Sequence, residues 1–143
     1  MQKDTRRLRV LLADDFPQIL EQVERLLSNE FQIIGFARDG GEALELCLTH
    51  NPDILLLDLS MPILCGLDVA NRLKELGCRS KIIFVTVQED RDYVDTAFSL
   101  GASGYVLKCR IGTDLLPAID AALNGSTFTS PFQAHVDTSF RPR

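Results

Sequence analysis

The residues able to do chemistry in this chain are far apart in sequence, and most of them stand at the end of an apolar run. Asp14 and Asp15 form an adjacent carboxylate pair, Asp58 is a third carboxylate, Thr86 offers a hydroxyl and Lys108 an ammonium. Three carboxylates brought together raise one another's pKa unless a cation shares the site. Hard oxygen ligands of this kind suit Mg²⁺, which keeps several waters and takes one or two carboxylates. A hydroxyl and an ammonium facing them can hold an anion such as a phosphoryl group. A carboxylate is also a nucleophile toward phosphorus and forms an aspartyl phosphate. The set points to metal-assisted phosphorylation of a carboxylate, provided that the fold brings its members together.

The elements that must do so are legible in the hydrophobic pattern. Four short, nearly all-apolar runs occupy residues 10–13, 54–57, 82–85 and 105–107. Runs that are apolar at every position suit strands covered on both faces, as in a parallel sheet. A fifth run, 33–37, carries Gly35 and has less apolar flanks, which assigns it to a sheet edge.

Segments of helical spacing lie between these runs. Ile19, Leu20, Val23, Leu26 and Leu27 recur at three and four residues, with Pro17 suited to the first turn. Further helices are expected over 41–50, 66–76, 90–100 and 113–123, the third and fourth ending at Gly77 and Gly101. Thr113 is the expected cap of the last helix. Five alternations of strand and helix predict right-handed crossovers and a doubly wound parallel sheet with helices on both faces. Ligands in such folds sit outside the carboxyl ends of the strands. Asp14-Asp15, Asp58, Thr86 and Lys108 stand at four of those ends.

Composition sets the bounds. A chain of 143 residues has room for one core, and 24% charged residues with a net charge of −5 disfavour non-specific binding to nucleic acid. No apolar run approaches the roughly 18 residues needed to span a bilayer, and the polar, basic start of the chain lacks a secretory core. The chain therefore reads as cytoplasmic and without a membrane partner. Cys47, Cys65, Cys78 and Cys109 include no C-x-x-C pair and read as reduced thiols, while His50 and His135 are isolated.

Four stretches resemble, in order and spacing, the receiver domains of two-component response regulators: VLLADD at 10–15, LLDLSMP at 56–62, IFVT at 83–86 and GASGYVLK at 101–108. The resemblance covers about residues 8–125. It implies a flavodoxin-like (βα)₅ fold with five strands in the order 2-1-3-4-5, and an Mg²⁺- or Mn²⁺-dependent phosphoacceptor at Asp58. It further implies that Asp15, Asp58 and the backbone carbonyl of Ser60 bind the metal directly and Asp14 through water. Lys108 would pair with the phosphoryl group and Thr86 would hydrogen-bond to it, with Tyr105 following Thr86 as a switch. Ser60, Val87 and Gln88 would flank the path to Asp58 and tune rates. The implied partners are a sensor histidine kinase and, in the active state, a second copy joined through the face of the fourth helix, fifth strand and fifth helix. Such a protein is a signalling phosphoacceptor and not an enzyme: it promotes only its own phosphorylation and dephosphorylation.

The wording GYVLK, followed by DLLPAI at 114–119 and Asn124-Gly125, is similar to the FixJ/NarL-like (LuxR-type) branch, whose members usually control transcription through a C-terminal helix-turn-helix. Residues 126–143 are too few for such a domain and lack helical periodicity, which marks them as linker or tail. DNA would be reached only through a domain absent from this sequence; the alternative is a stand-alone receiver acting by protein contact. Two departures bear on rates and loop geometry. Val87 stands where the family usually has a small residue, and Cys109 follows Lys108 where many receivers have a proline. A haloacid-dehalogenase-type phosphatase would need D-x-D at the end of the first strand, and the aspartates here are adjacent. A receiver that docks partners without chemistry is disfavoured by the complete site.

Overall fold

The computed structural model describes residues 7–131. Its elements run β1 (Leu8–Ala13), α1 (Pro17–Leu27), β2 (Phe31–Ala37), α2 (Gly40–His50), β3 (Ile54–Leu57), α3 (Gly66–Glu75), β4 (Lys81–Thr86), α4 (Arg91–Ser99), β5 (Gly104–Leu107), α5 (Ile111–Leu123) and β6 (Phe128–Thr129). The sheet is parallel throughout and ordered β2-β1-β3-β4-β5-β6. The 2-1-3-4-5 arrangement and the edge position of β2 follow the expectation, and the short β6 adds a sixth strand beyond it.

Because strand side chains alternate between faces, the all-apolar runs feed two cores at once. Leu11, Ala13, Leu55, Leu57, Phe84 and Tyr105 join the core that also holds α2, α3 and α4 residues such as Ala43, Val69, Leu73 and Ala97. Val10, Leu12, Ile54, Leu56, Ile83, Val85 and Val106 pack with α1 and α5 through Leu20, Val23, Leu115 and Ile119. Burying both faces explains why these strands are apolar at every position.

The helix ends follow local chemistry. Asp39 and Asp90 cap α2 and α4 by accepting from the amides of Glu42 and Asp92. Gly77 and Gly101 follow α3 and α4 with φ of +73° and +94°, values that favour glycine. Thr113 is not a cap. The chain leaves β5 through a 3₁₀ turn, Lys108–Arg110, and α5 begins at Ile111 without a side-chain cap. A turn that is already helical offers its carbonyls to the next amides, which removes the need for one.

Residues 126–131 are not loose where they are described. Phe128 and Thr129 pair with Gly104 and Tyr105, and the Ser130 amide donates to the Tyr105 carbonyl at 2.8 Å. The rest of the expected tail, 132–143, and the basic start, 1–6, lie outside the described residues.

Candidate functional site

The parallel register brings the singled-out residues to one edge. Ala13 of β1 is level with Leu57 of β3, Leu57 with Phe84 of β4, and Thr86 with Leu107 of β5. Asp14, Asp58 and Lys108 therefore follow directly from strands lying side by side, with Thr86 ending the strand between the last two. Backbone bonds fix the turns: the Asp58 amide donates to the Ala13 carbonyl and the Asp14 amide to the Ala37 carbonyl, each at 3.0 Å.

At that edge, carboxylate oxygens of Asp14, Asp15 and Asp58 all lie within 4.8 Å of one another. Lys108 Nζ stands between two of them, 2.8 Å from Asp14 Oδ2 and 3.1 Å from Asp58 Oδ2. All three side chains of this bridge are nearly closed off from water. The ammonium also lies 4.9 Å from the centre of the Phe16 ring, within reach of a cation–π attraction. Asp14 Oδ1 accepts from the Phe16 amide at 2.9 Å, so the residue that bonds the ammonium also positions the backbone of the ring that faces it.

Electrostatics at the site are dominated by desolvation. Burial, reinforced by the neighbouring Asp14 charge, pushes the Asp58 carboxyl above its ordinary range, and Lys108 and the Ser60 amide only partly oppose this. For Lys108, burial pulls the ammonium down. The bonds and charges of Asp14 and Asp58 together outweigh it and hold the ammonium above its usual value. A simple ion pair would lower the carboxyl while raising the ammonium. Both move up here, because burial and the Asp14 charge outweigh the ammonium at Asp58 while the two carboxylates outweigh burial at Lys108. Three carboxylates clustered beside a single ammonium are a donor set of hard oxygens that fits a divalent cation. Asp14, Asp15 and Asp58 are the side chains placed to hold it.

The remaining expected residues are distributed around this centre. Thr86 is fully buried, and its Oγ1 accepts from the Gln88 amide at 3.3 Å. Tyr105 is also fully buried, with its hydroxyl donating to the Gln88 carbonyl at 2.8 Å. Its ring is already inside, so an inward rotation has no outward starting point in this structure. Ser60 and Gln88 line one open hollow of about 220 Å³ with Met61, Cys65 and Tyr93. Val87 is outside that lining and is 67% exposed.

Three features had little or no signal in the sequence. A Cβ on Gly66 would overlap the carbonyl of Asp58, so α3 reaches the acceptor turn only because its first residue is glycine. Ile63, 79% exposed in the loop after Asp58, has φ of +74°, a costly conformation for a β-branched side chain. Beyond β5, Ser130 Oγ donates to Asp114 Oδ2 at 2.7 Å and accepts from the Leu107 amide at 3.1 Å, while Arg110 clasps Asp114 from the other side. Asp114 and Ser130 are both buried, although each reads in sequence as an ordinary surface residue.

The pattern of the family described as response regulator receiver domain matches residues 10–120. The chain belongs to that family. This receiver is 35% identical to the nitrate/nitrite response regulator protein NarL of Escherichia coli over 123 residues, 85% of the chain and 57% of the relative. It is 29% identical to the transcriptional regulatory protein DegU of Brevibacillus brevis over 94% of the chain and 58% of the relative. The receiver thus spans less than two thirds of the length of these relatives. Among solved structures it is similar to a LuxR-family two-component response regulator from Aurantimonas sp., with 31% identity and a TM-score of 0.82 over 88% of this chain and 91% of that one. The receiver domain of a response regulator named NarL from Mycobacterium tuberculosis gives 32% identity and a TM-score of 0.79 over 83% and 98%. No helix among the described residues is long and apolar enough to cross a membrane.

Proposed function

We propose that this receiver is the phosphoacceptor switch of a two-component pathway, with Asp58 taking a phosphoryl group from the phosphohistidine of a cytoplasmic or membrane-tethered kinase. The observation that carries the reading is the position of Lys108 Nζ, bonded to both Asp14 and Asp58 at the carboxyl edge of the sheet. An Asp58 oxygen attacks phosphorus, the P–N bond to the kinase imidazole breaks, and the departing nitrogen keeps the electron pair. Phosphoryl transfer asks the protein mainly for positioning and charge neutralisation. Lys108 is already within reach of the reacting carboxylate, and Asp14 holds it there. Mg²⁺ or Mn²⁺, held by Asp14, Asp15 and Asp58 with the Ser60 carbonyl, supplies the remaining positive charge when bound.

Thr86 and Tyr105 carry the signal away through Gln88, toward α4 and β5. That face, with α5, contacts a second copy or an output domain, and the output is transcription through a DNA-binding domain outside these residues. The protein works in the cytoplasm and turns over only its own phosphoaspartate. Incubation with acetyl phosphate and Mg²⁺, followed by intact-mass measurement, should add one phosphoryl group that Asp58→Asn abolishes. Added mass retained in that variant, or formed equally after chelation of the metal, overturns the proposal.

Ser60, Val87 and Gln88 set the rates on this reading, Ser60 and Gln88 from the hollow beside the acceptor turn and Val87 from the exposed loop after Thr86. Val87→Ala should speed both phosphorylation by acetyl phosphate and loss of the phosphoryl group. Equal rates in the variant and the parent remove Val87 from that role.

A further inference from the structure

The chain holds a second reactive pair at the end of the sheet away from Asp58. Cys47, on α2, and Cys78, in the turn between α3 and β4, are separated by 31 positions, yet their sulfurs lie 3.8 Å apart. Both face the hydroxyl of Ser80 at 3.5 Å, and that hydroxyl is held by the Pro52 carbonyl at 2.6 Å. Cys47 is fully buried and Cys78 partly so, which leaves Cys78 as the sulfur that solvent can reach. Two thiols in van der Waals contact, on elements fixed by separate packing, are held at a high effective concentration toward each other. A disulfide requires the sulfurs to close to about 2.05 Å.

We propose that Cys47 and Cys78 form an intramolecular disulfide under hydroperoxide stress, a modification site separate from the phosphorylation site. The Cys78 sulfur attacks the peroxide, the O–O bond breaks, a sulfenic acid forms on Cys78, and the thiol proton leaves with the released hydroxide as water. The Cys47 sulfur then displaces hydroxide from Cys78. The S–S bond forms, the S–O bond breaks, and the Cys47 proton leaves in a second water. The two sulfurs together lose two electrons and the peroxide gains them.

Burial pushes the Cys47 thiol up to about 12, which makes it a poor first nucleophile and assigns the first step to Cys78. The bond ties α2 to the turn before β4, the strand that Thr86 ends, and it closes a long loop of the unfolded chain. The oxidised protein should therefore melt higher than the reduced one.

The test uses the full chain with Cys65→Ser and Cys109→Ser, which removes the two exposed competing thiols. After treatment with hydrogen peroxide and alkylation, digestion without reductant should yield one cross-linked peptide pair containing Cys47 and Cys78, lighter than its components by two hydrogens. In a further Cys47→Ala variant, dimedone should trap Cys78 as the sulfenic acid; where that variant does not fold, the melting shift of the parent under peroxide and its reversal by dithiothreitol replace it. Recovery of both Cys47 and Cys78 as alkylated thiols, or as cross-links between molecules only, overturns the proposal.

Discussion

The Tyr105 hydroxyl donates to the backbone carbonyl of Gln88 at 2.8 Å, across the gap between β5 and the loop after β4. Thr86 Oγ1 accepts from the amide of the same Gln88 at 3.3 Å. The two residues implied as a switch thus grip one peptide segment from either side, and neither needs a rotamer change to be in contact with it. A phosphoryl group on Asp58 that drew the Thr86 hydroxyl away would free the Gln88 amide, while the Tyr105 bond would still hold the Gln88 carbonyl.

Tyr105→Phe should accordingly leave phosphorylation of Asp58 in place, cost about 1 kcal/mol of stability, and speed amide exchange over residues 87–90. Thr86→Ala should permit phosphorylation but blunt the exchange difference between phosphorylated and unphosphorylated protein along α4. Full-sized differences in both variants would show that the signal bypasses Gln88.

Asp58→Asn should melt higher than the parent. The folded Asp58 carboxyl lies above its ordinary range, because burial and the Asp14 charge disfavour ionisation. An acid whose folded pKa exceeds its unfolded one weakens the fold wherever both states are ionised. The penalty is full above the folded value, declines as pH falls through the window between the two, and vanishes below the unfolded value. The advantage of the Asn variant should therefore be greatest near neutrality and fade in acid. An advantage that grew as pH fell would reverse the sign assigned to burial.

Gly66→Ala probes the acceptor turn without removing a reactive group. The added methyl clashes with the Asp58 carbonyl and comes closer to the Leu59 backbone than van der Waals contact allows, so α3 or the turn must shift. Overpacking of this kind costs roughly 1–3 kcal/mol. Chemical denaturation should show that loss, and the yield of phosphorylated protein should drop alongside it. Wild-type yield in a destabilised variant would separate the turn from the chemistry.

Ser130→Ala should cost about 1–3 kcal/mol, because the buried Asp114 carboxylate and the Leu107 amide each lose a partner. Asp114→Asn should show a pH signature. The Arg110 bond holds the Asp114 carboxyl below its ordinary range, against the opposing effect of burial and with help from Ser130. A depressed folded pKa gives stability that is present above the unfolded value and lost as pH falls through the folded one. Thermal melts should show parent and variant well separated at neutral pH and converging in acid; a constant gap would exclude the ion pair as its source.

The parts of the site that follow strand ends were legible in the sequence, because a fully buried strand is apolar at every position and its first polar residue marks the edge. Asp14, Asp58, Thr86 and Lys108 could be placed in that way, and the parallel register did the rest. Gly66, Ser130 and Asp114 could not. The need for glycine at 66 arises because the chain doubles back until the start of α3 lies against the Asp58 carbonyl, a close approach that no hydrophobic pattern encodes. Residues 126–130 are too short and too polar to read as a strand, and become one only because the β5 edge is open beside them. Thr113 misled for the converse reason: it has the composition of a cap, but the helix had already begun.

The parallel direction of β6 settles where the chain departs. The last turn of α5 lies near Leu8 and Lys81, at the amino edge of the sheet, where Leu123 lines a hollow with those residues. From there residues 126–130 climb back along β5 until Ser130 is anchored at Leu107, one position short of Lys108. Ser130 is thus fastened at the rim that holds Asp58, and not at the floor of the domain where the last helix stops. The fastening is close to the site: the Leu107 amide belongs to the residue joined by one peptide bond to Lys108, whose ammonium Asp14 and Asp58 share.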